Sequence, residues 1–156
     1  MNFTVNTLRR SYDALKLVPG GKLLFSKLVG RMAPYTGTIN AKVIELEPGY
    51  ARVELRDHKA VRNHLNSIHA VALMNLAELA TGLAFMSGVP EDARGILTGL
   101  SIEYLKKARG TLTAECRCIP PTTSSRQEFE INGEIRNSAG EVVARARAKW
   151  LVGPST

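Results

Sequence analysis

Apolar residues in the first part of the chain recur at the spacing of helices. Residues 4–18 carry an apolar face at i, i+4 and i+7, and residues 22–33 carry a second one, so the sequence predicts two short helices. The first face consists of Leu8, Tyr12 and Leu15, and the second of Leu24, Phe25, Leu28 and Met32. Pro19-Gly20-Gly21 and Pro34 are expected to end these helices.

The pattern then changes to an alternation of apolar and polar residues, which is typical of half-buried strands. Residues 38–43 and 51–56 alternate on either side of a Glu47-Pro48-Gly49 turn, and this arrangement predicts a hairpin with one solvent-facing side. Four later segments are also predicted as strands, namely residues 95–108, 111–119, 127–136 and 141–152.

Residues 70–86 are apolar on nearly every side, which is typical of a buried helix. A membrane-spanning helix needs about 20 apolar residues, and a charge at its centre, such as Glu78, costs about 2.5 kcal/mol or more. We therefore expect a buried core helix and no stable membrane insertion. The complete pattern predicts an α+β fold in which an antiparallel sheet wraps around one buried central helix, with two short N-terminal helices.

Composition supports a single folded domain. The chain has 156 residues, of which 44% are hydrophobic and 22% are charged, so it is long and apolar enough to build one core. The net charge is +7, and residues 1–36 contain six basic residues and only one acidic residue. This basic start is either a solvated helix face or a surface for a phosphate-rich ligand, an acidic carrier protein or a membrane. No nucleic-acid-binding motif accompanies it, so nucleic acid is not an expected partner.

Targeting and cysteine patterns point to a reducing compartment. Met1–Arg10 lacks the apolar stretch and small-residue cleavage site of a signal peptide, which predicts a cytoplasmic location. Cys116 and Cys118 share one face of a predicted strand, but their side chains are too far apart for an unstrained disulfide. Two thiols are also too few for a structural zinc site, so we expect free cysteines and no metal.

Polar residues are concentrated just before the apolar helix, and one carboxylate, Glu78, lies two turns after its start. Because burial of an unpaired carboxylate is unfavourable, Glu78 is a candidate functional residue. The alternative is a structural acid bonded to a backbone amide or to His64 or His69. Asn63 could likewise be structural, with its side chain capping a turn or bonded to the local backbone. Both histidines could be ordinary loop or core residues.

The pattern Asn63-x5-His69-Ala70-x7-Glu78 resembles the signature of hotdog-fold acyl-CoA thioesterases of the phenylacetate-degradation and 4-hydroxybenzoyl-CoA thioesterase type. In that family an Asn precedes a His-Gly-Gly element, and an Asp or Glu follows on the central helix. The segment 100–110 resembles the third strand of the family. The resemblance covers roughly residues 37–152, and the two N-terminal helices resemble those of an uncharacterised hotdog subgroup. We therefore expect a helical extension over residues 1–36 and a hotdog thioesterase-like domain over residues 37–156.

The resemblance implies a set of catalytic roles. Glu78 would attack the thioester carbonyl or activate a water, and Asn63 would position the water or the carbonyl. The backbone N–H of Ala70 would polarise the carbonyl oxygen at a helix N-terminus, beside His69 of the motif. One departure is clear, because Ala70-Val71 stands where the family has Gly-Gly, and the larger side chains narrow the space for a substrate.

The resemblance also implies partners. Coenzyme A would be part of the substrate, so no separate cofactor is expected, and Lys106, Lys107 and Arg109 at a strand end are the candidates for binding its phosphates. Hotdog active sites generally form between two subunits, which implies a homodimer or a dimer of dimers. The expected function is hydrolysis of an acyl-CoA or aryl-CoA thioester. Alternatives are a non-catalytic protein that binds acyl-CoA or an acyl carrier, and a 3-hydroxyacyl-thioester dehydratase, although the His-Phe-Pro-Gly element of dehydratases is absent.

Overall fold

The computed structural model describes residues 5–155 and contains four α-helices and six strands within that range. In chain order the elements are α1 (Val5–Leu15), α2 (Gly21–Met32), α3 (Pro34–Gly37), β1 (Lys42–Glu47), β2 (Tyr50–Leu55), α4 (Ala70–Met86), β3 (Ala93–Tyr104), β4 (Leu112–Arg117), β5 (Gln127–Arg136) and β6 (Val142–Pro154). A 3-10 turn, Lys59–Val61, lies between β2 and α4.

The six strands form one antiparallel sheet in the order β1-β2-β4-β5-β6-β3. The central helix α4 packs across this sheet and buries Leu76, Ala80, Ala84 and Phe85 completely. Alternate strand residues such as Ala148 and Val152 face the helix, which explains why each strand is apolar on one side. The predicted α+β architecture, a sheet wrapped around one buried helix, is confirmed.

The tight turn between β1 and β2 fastens the C-terminal end of α4. The Gly49 amide donates to the Ala84 carbonyl oxygen at 3.0 Å, and the Ser87 hydroxyl donates to the Glu47 carbonyl oxygen at 2.8 Å. Gly49 has φ +78, and a Cβ there would lie 2.3 Å from the Cys118 carbonyl oxygen, so only glycine fits. The first bond satisfies a carbonyl in the last turn of α4 that the helix itself leaves unpaired, and the second joins the residue after the helix to the turn.

The N-terminal helices share the core of the sheet rather than standing apart from it. The Tyr12 ring packs edge-on against Phe25 with 5.1 Å between ring centroids, and the Tyr12 hydroxyl donates to the Ile44 carbonyl oxygen at 3.1 Å. The buried Ser26 hydroxyl accepts a hydrogen bond from the Val43 amide at 2.9 Å. Helices α1 and α2 are therefore held against strand β1.

Several boundaries differ from the sequence prediction. Strand β1 begins at Lys42 rather than near residue 38, because Asn40 has φ +53, which interrupts an extended chain. Pro34 begins the short helix α3 instead of only ending α2, as its fixed φ permits at a first helical position. Helix α1 ends at Leu15, and the predicted start at residue 4 lies outside the described residues.

Candidate active site along the central helix

A compact loop leads into the central helix, and Asn63 holds it together. The Asn63 side-chain oxygen accepts hydrogen bonds from the backbone amides of Leu65 at 3.0 Å and Ser67 at 3.2 Å. Asn66 occupies the left-handed region with φ +55, as a tight turn demands. The Asn63 carboxamide oxygen thus serves the local backbone, and its NH₂ group forms no hydrogen bond within residues 5–155.

The loop is anchored to the segment that follows β3. The Ala108 carbonyl oxygen accepts bonds from the Ile68 amide at 2.8 Å and the Ser67 hydroxyl at 3.1 Å. The Arg109 guanidinium donates to the carbonyl oxygens of Asn66 at 3.2 Å and Leu65 at 3.4 Å. These bonds place the cationic segment beside the start of α4.

His69 is the N-cap of α4, and its Nδ1 accepts a hydrogen bond from the Val71 amide at 3.1 Å. A ring nitrogen that accepts carries no proton, so the neutral imidazole is protonated at Nε2, on an exposed side chain. Ala70 is the first helical residue, and its amide has no partner inside the helix or elsewhere within the described residues. The site therefore holds an open N–H donor at a helix N-terminus, where a developing negative charge is favoured.

Glu78 lies on a stripe of α4 that is only partly buried. The stripe consists of Val71, Met74, Glu78, Gly82 and Met86, none of which is fully buried. Desolvation by burial raises the pKa of the Glu78 carboxyl above its usual range. Within residues 5–155 the carboxylate forms no hydrogen bond or ion pair, so the partner that a structural acid would need is missing there.

Gly82 leaves open space between the carboxylate of Glu78 and the ring of Trp150. A Cβ on Gly82 would lie 3.6 Å from Glu78 Oε1 and 3.5 Å from Trp150 Cζ2, so both atoms border the same gap. Trp150 is only 7% exposed, and its indole N–H has no hydrogen-bond partner in the described structure. The ring also packs against Phe85, with 5.7 Å between centroids. This gap, which has room for about one methyl group at ordinary contact distance, is an apolar slot next to the carboxylate.

The three cations expected to bind coenzyme A lie in the loop after β3 rather than on the strand, which ends at Tyr104. Lys106 forms an ion pair with Glu141 at 2.5 Å, and Arg109 is engaged by the loop before α4. Lys107 is exposed and has no ion pair among the residues described. Binding of phosphates by these three cations stays a prediction. Lys107 is the one whose side chain has no partner among the described residues.

The candidate oxyanion donor, the Ala70 amide, and the candidate carboxylate, Glu78, lie at different positions along α4. Ala70 and Glu78 are eight residues apart on α4, which corresponds to about 12 Å along a helix axis. An oxyanion donor and an attacking group must each lie within about 3 Å of one carbonyl group. The backbone positions of Ala70 and Glu78 are therefore separated by more than the span of one carbonyl group and its two partners, and this separation favours a site shared between two chains.

This architecture, a long central helix wrapped by a six-stranded antiparallel sheet with short N-terminal helices, is the hotdog fold, and it is shared with solved thioesterases. The chain belongs to the family described as a domain of unknown function, DUF4442, whose model matches residues 21–152.

Three relatives show how far the similarity extends. The crystal structure of the genomics target APC5556 is 28% identical, has a TM-score of 0.80, and aligns over 97% of this chain and 99% of its own. A Pseudomonas aeruginosa protein of unknown function, PA5026, described as a probable thioesterase, is 21% identical with a TM-score of 0.74, over 88% and 97% of the two chains. A protein of Archaeoglobus fulgidus named "Putative esterase" is 29% identical over 70% of this chain and 68% of its own.

Sequence reasoning missed three contributors to the candidate site. They are Gly82, Trp150 and Tyr104, whose hydroxyl donates to the Ala70 carbonyl oxygen at 2.9 Å. A glycine in the middle of an apolar helix was an available signal for Gly82, because glycine there destabilises a helix. The Tyr104 and Trp150 contacts join residues far apart in sequence and gave no local signal. Within residues 5–155, no three His, Cys, Asp or Glu side chains converge as a metal site requires. No helix there combines the length and apolarity needed to cross a bilayer.

Proposed function

We propose that the protein hydrolyses the thioester bond of an acyl-CoA or aryl-CoA, releasing a free acid and coenzyme A. The observation that carries the proposal is the Glu78 carboxylate, which is desolvated, unpaired in the described structure and placed on an otherwise apolar stripe. Similar proteins described as a "Probable Thioesterase" and a "Putative esterase" support this class of reaction. An isolated desolvated carboxylate is a stronger base and nucleophile than a solvated one, because water no longer stabilises its charge.

The reaction requires addition to the carbonyl and loss of a thiolate. Glu78 attacks the carbonyl carbon or takes a proton from a water that attacks it, and the Ala70 amide donates to the resulting oxyanion. The C–S bond then breaks, and the sulfur leaves as the thiolate of coenzyme A. With water as the attacking group, this step gives the free acid directly. With Glu78 as the nucleophile, it leaves a mixed anhydride on Glu78, which a water then hydrolyses to release the acid and restore the carboxylate. Since the Asn63 oxygen is occupied by two backbone amides, the free NH₂ group of Asn63 is the part available to orient the substrate. His69 holds the start of the helix through Val71.

We infer that the working site forms between two copies of the chain, with Ala70 of one copy and Glu78 of the other. The separation along α4 supports this arrangement, and so does the position of β3, which is an edge strand with unpaired backbone groups. Ile96 on β3 is an exposed apolar side chain at 53%. A homodimer through β3 would cover it, and two such dimers could associate further.

The first experiment measures thiol release from a panel of short, medium, long and aromatic acyl-CoA thioesters. We expect one class to be turned over, and Glu78→Gln to lose about 10²–10⁴-fold, which is the usual contribution of a positioned base. Glu128→Gln, a change of an exposed glutamate on β5, is the matched control and should keep full activity. If wild type and Glu78→Gln are equally inert while both bind acyl-CoA, the protein is a binding protein and hydrolysis is excluded.

A second experiment tests the composite site. Ala70→Pro removes the amide proton at the first helical position, where proline is tolerated, and His69 already has the extended backbone (φ −64, ψ 141) that precedes proline. Each variant alone should be impaired, with Ala70→Pro down about 10²–10³-fold. In mixed dimers with Glu78→Gln, one of the two sites is intact, so co-expression should restore about a quarter of wild-type activity. No recovery would place both groups of each site on one chain.

A further inference from the structure

The surface formed by α2 and its two flanking turns combines exposed aliphatic residues with unpaired cations. Six of the twelve large apolar residues that are exposed in the described structure lie between residues 17 and 35. They are Leu17, Val18, Leu23, Leu24, Met32 and Tyr35, and Leu17 is 85% exposed. Such a concentration of aliphatic surface marks an interaction site rather than scattered exposure.

The same stretch has a one-sided charge. No acidic residue occurs between Asp13 and Glu45, whereas five basic residues do, namely Lys16, Lys22, Lys27, Arg31 and Lys42. Lys16 is neutralised by Asp13 at 2.6 Å. In the described structure Lys22, Lys27 and Arg31 form no ion pair, so their charges face solvent uncompensated.

Helix geometry places the apolar and cationic residues on one face. Leu23, Leu24, Lys27 and Arg31 fall within an arc of about 100° around the α2 axis, opposite the buried residues Phe25 and Val29. Helix α2 therefore differs from an ordinary amphipathic helix. Its inner face is apolar, and its outer face carries leucines beside cations. Helices that lie in a lipid–water interface present this combination, with aliphatic residues in the acyl region and Lys or Arg at the headgroups.

A groove opens at this surface. It has a volume of about 610 Å³ and runs between α2, α3 and β1. Its lining includes the exposed Leu23, Lys27 and Arg31, together with the buried Val29, Val43 and Leu79. The volume lies within the range of ligand sites, and the lining offers cations for a phosphate group next to apolar surface for a hydrocarbon chain.

We propose that this surface, defined by Leu17, Val18, Leu23, Leu24, Lys27 and Arg31, docks the protein peripherally on an anionic phospholipid bilayer. The proposal does not depend on the hydrolase activity. An acidic soluble partner would account for the cations but not for the exposed leucines beside them. An anionic bilayer offers both negative headgroups and apolar chains, so it accounts for both. Each Lys or Arg near such a membrane contributes roughly a fivefold gain in partitioning.

The test is co-sedimentation of the full chain with vesicles of equimolar phosphatidylglycerol and phosphatidylcholine, compared with pure phosphatidylcholine. We expect binding to the anionic vesicles only, and its loss at about 1 M salt, where charges are screened within about 3 Å. Lys27→Gln/Arg31→Gln should bind about 10- to 30-fold more weakly. Leu23→Ser/Leu24→Ser should also bind more weakly, with only a small decrease in Tm because both leucines are about half exposed.

The control is Arg126→Gln/Lys149→Gln, which removes one Arg and one Lys from exposed positions outside this surface and should leave vesicle binding unchanged. All variants of α2 should retain thiol release from a soluble substrate. Three binding results would overturn the proposal: no binding of the wild type to anionic vesicles at low salt, equal loss in the control, or competition by glycerol phosphate as effective as by vesicles. A change of oligomeric state in the leucine variant would also overturn it, because the surface would then join two copies of the chain.

Discussion

The Tyr104 hydroxyl donates a hydrogen bond of 2.9 Å to the carbonyl oxygen of Ala70, and this contact ties the end of β3 to the first turn of α4. The Ala70 amide is the proposed oxyanion donor, so its position depends on what holds that turn. Tyr104 is therefore a positioning residue that touches the peptide backbone rather than the substrate.

Tyr104→Phe tests this role. A partly exposed hydrogen bond stabilises a protein by about 0.5–1.5 kcal/mol, so we expect a small decrease in Tm. We expect kcat for thioester hydrolysis to fall about 3- to 10-fold with little change in KM, because the donor matters in the transition state. Tyr35→Phe is the matched control, since Tyr35 is exposed and its hydroxyl has no partner in the described part of the chain. Equal kinetics of the two variants would contradict the positioning role.

Gly82→Ala separates stability from activity. Ala is favoured over Gly inside a helix by roughly 0.5–1 kcal/mol, and the nearest atom to the new Cβ would be Trp150 Cζ2 at an ordinary 3.5 Å. We expect Tm to rise by about 1–4 °C while turnover of bulky acyl or aryl thioesters falls more than turnover of acetyl thioesters, because the methyl group occupies the slot beside Glu78.

The contrast is Gly133→Ala, whose Cβ would lie 3.0 Å from Thr81 Cγ2. Thr81 is fully buried and its hydroxyl is bonded to the Ala77 carbonyl oxygen, so it cannot move aside easily and this change should lower Tm. A Gly82→Ala variant with an unchanged substrate profile would show that the acyl group lies elsewhere. If Gly82→Ala instead altered the dimer equilibrium, the gap would be filled by a helix of the second copy.

The pKa of Glu78 gives a prediction about stability. Burial raises its pKa in the folded chain, so the folded state retains the proton to a higher pH than the unfolded state, whose value is about 4.3. The free energy of unfolding of the wild type therefore decreases as pH rises from about 4.3 through the raised folded pKa. Glu78→Gln has no such charge, so it should be more stable than wild type at neutral pH and no more stable below about pH 4.

Thermal melts of both proteins between acid and neutral pH would measure this difference. Glu128→Gln should show no comparable trend, since Glu128 is exposed. The same raised pKa places the acid limb of the kcat/KM profile above the ordinary range of a glutamate, because only the ionised carboxylate is a nucleophile or base. A Glu78→Gln variant less stable than wild type at neutral pH would indicate a stabilising partner for the carboxylate.

The sequence was most informative where local pattern decides structure. The α4 limits match the predicted residues 70–86, because the apolar run ends at Gly88 and Pro90 and its N-cap lies in the polar segment. The β1–β2 turn at Glu47-Pro48-Gly49 was equally clear, since only glycine permits its geometry. Strand β5 also has the predicted limits, Gln127–Arg136.

Tertiary contacts explain what the pattern did not predict. The left-handed Asn40 delays the start of β1, and nothing in the local alternation marks it. Motif spacing singled out Asn63 and Glu78 as candidates, but the occupation of the Asn63 oxygen by backbone amides depends on how the loop folds. The bond of Tyr104 to Ala70 joins residues 34 positions apart and arises only when β3 lies beside α4.

The last prediction concerns the cations after β3. Lys107 is exposed and unpaired in the described structure, whereas Lys106 is paired with Glu141 at 2.5 Å. If Lys107 binds a phosphate of coenzyme A, Lys107→Gln should raise KM for acyl-CoA about 10-fold, the lower range for a hydrogen bond to a charged group. The value of kcat should not change, because the phosphates lie far from the thioester and are bound equally in the ground state and transition state.

The matched substrate is the same acyl group on N-acetylcysteamine, which keeps the thioester and lacks every phosphate. Its KM should be the same for wild type and Lys107→Gln, and Lys106→Gln should have a smaller effect on acyl-CoA because that lysine must first leave Glu141. An equal rise in KM for both substrates would mean that Lys107 supports the loop structure rather than the nucleotide. Unchanged KM for acyl-CoA would move the phosphate site away from this segment while leaving the assignment of Glu78 intact, since that assignment rests on the helix and not on the loop.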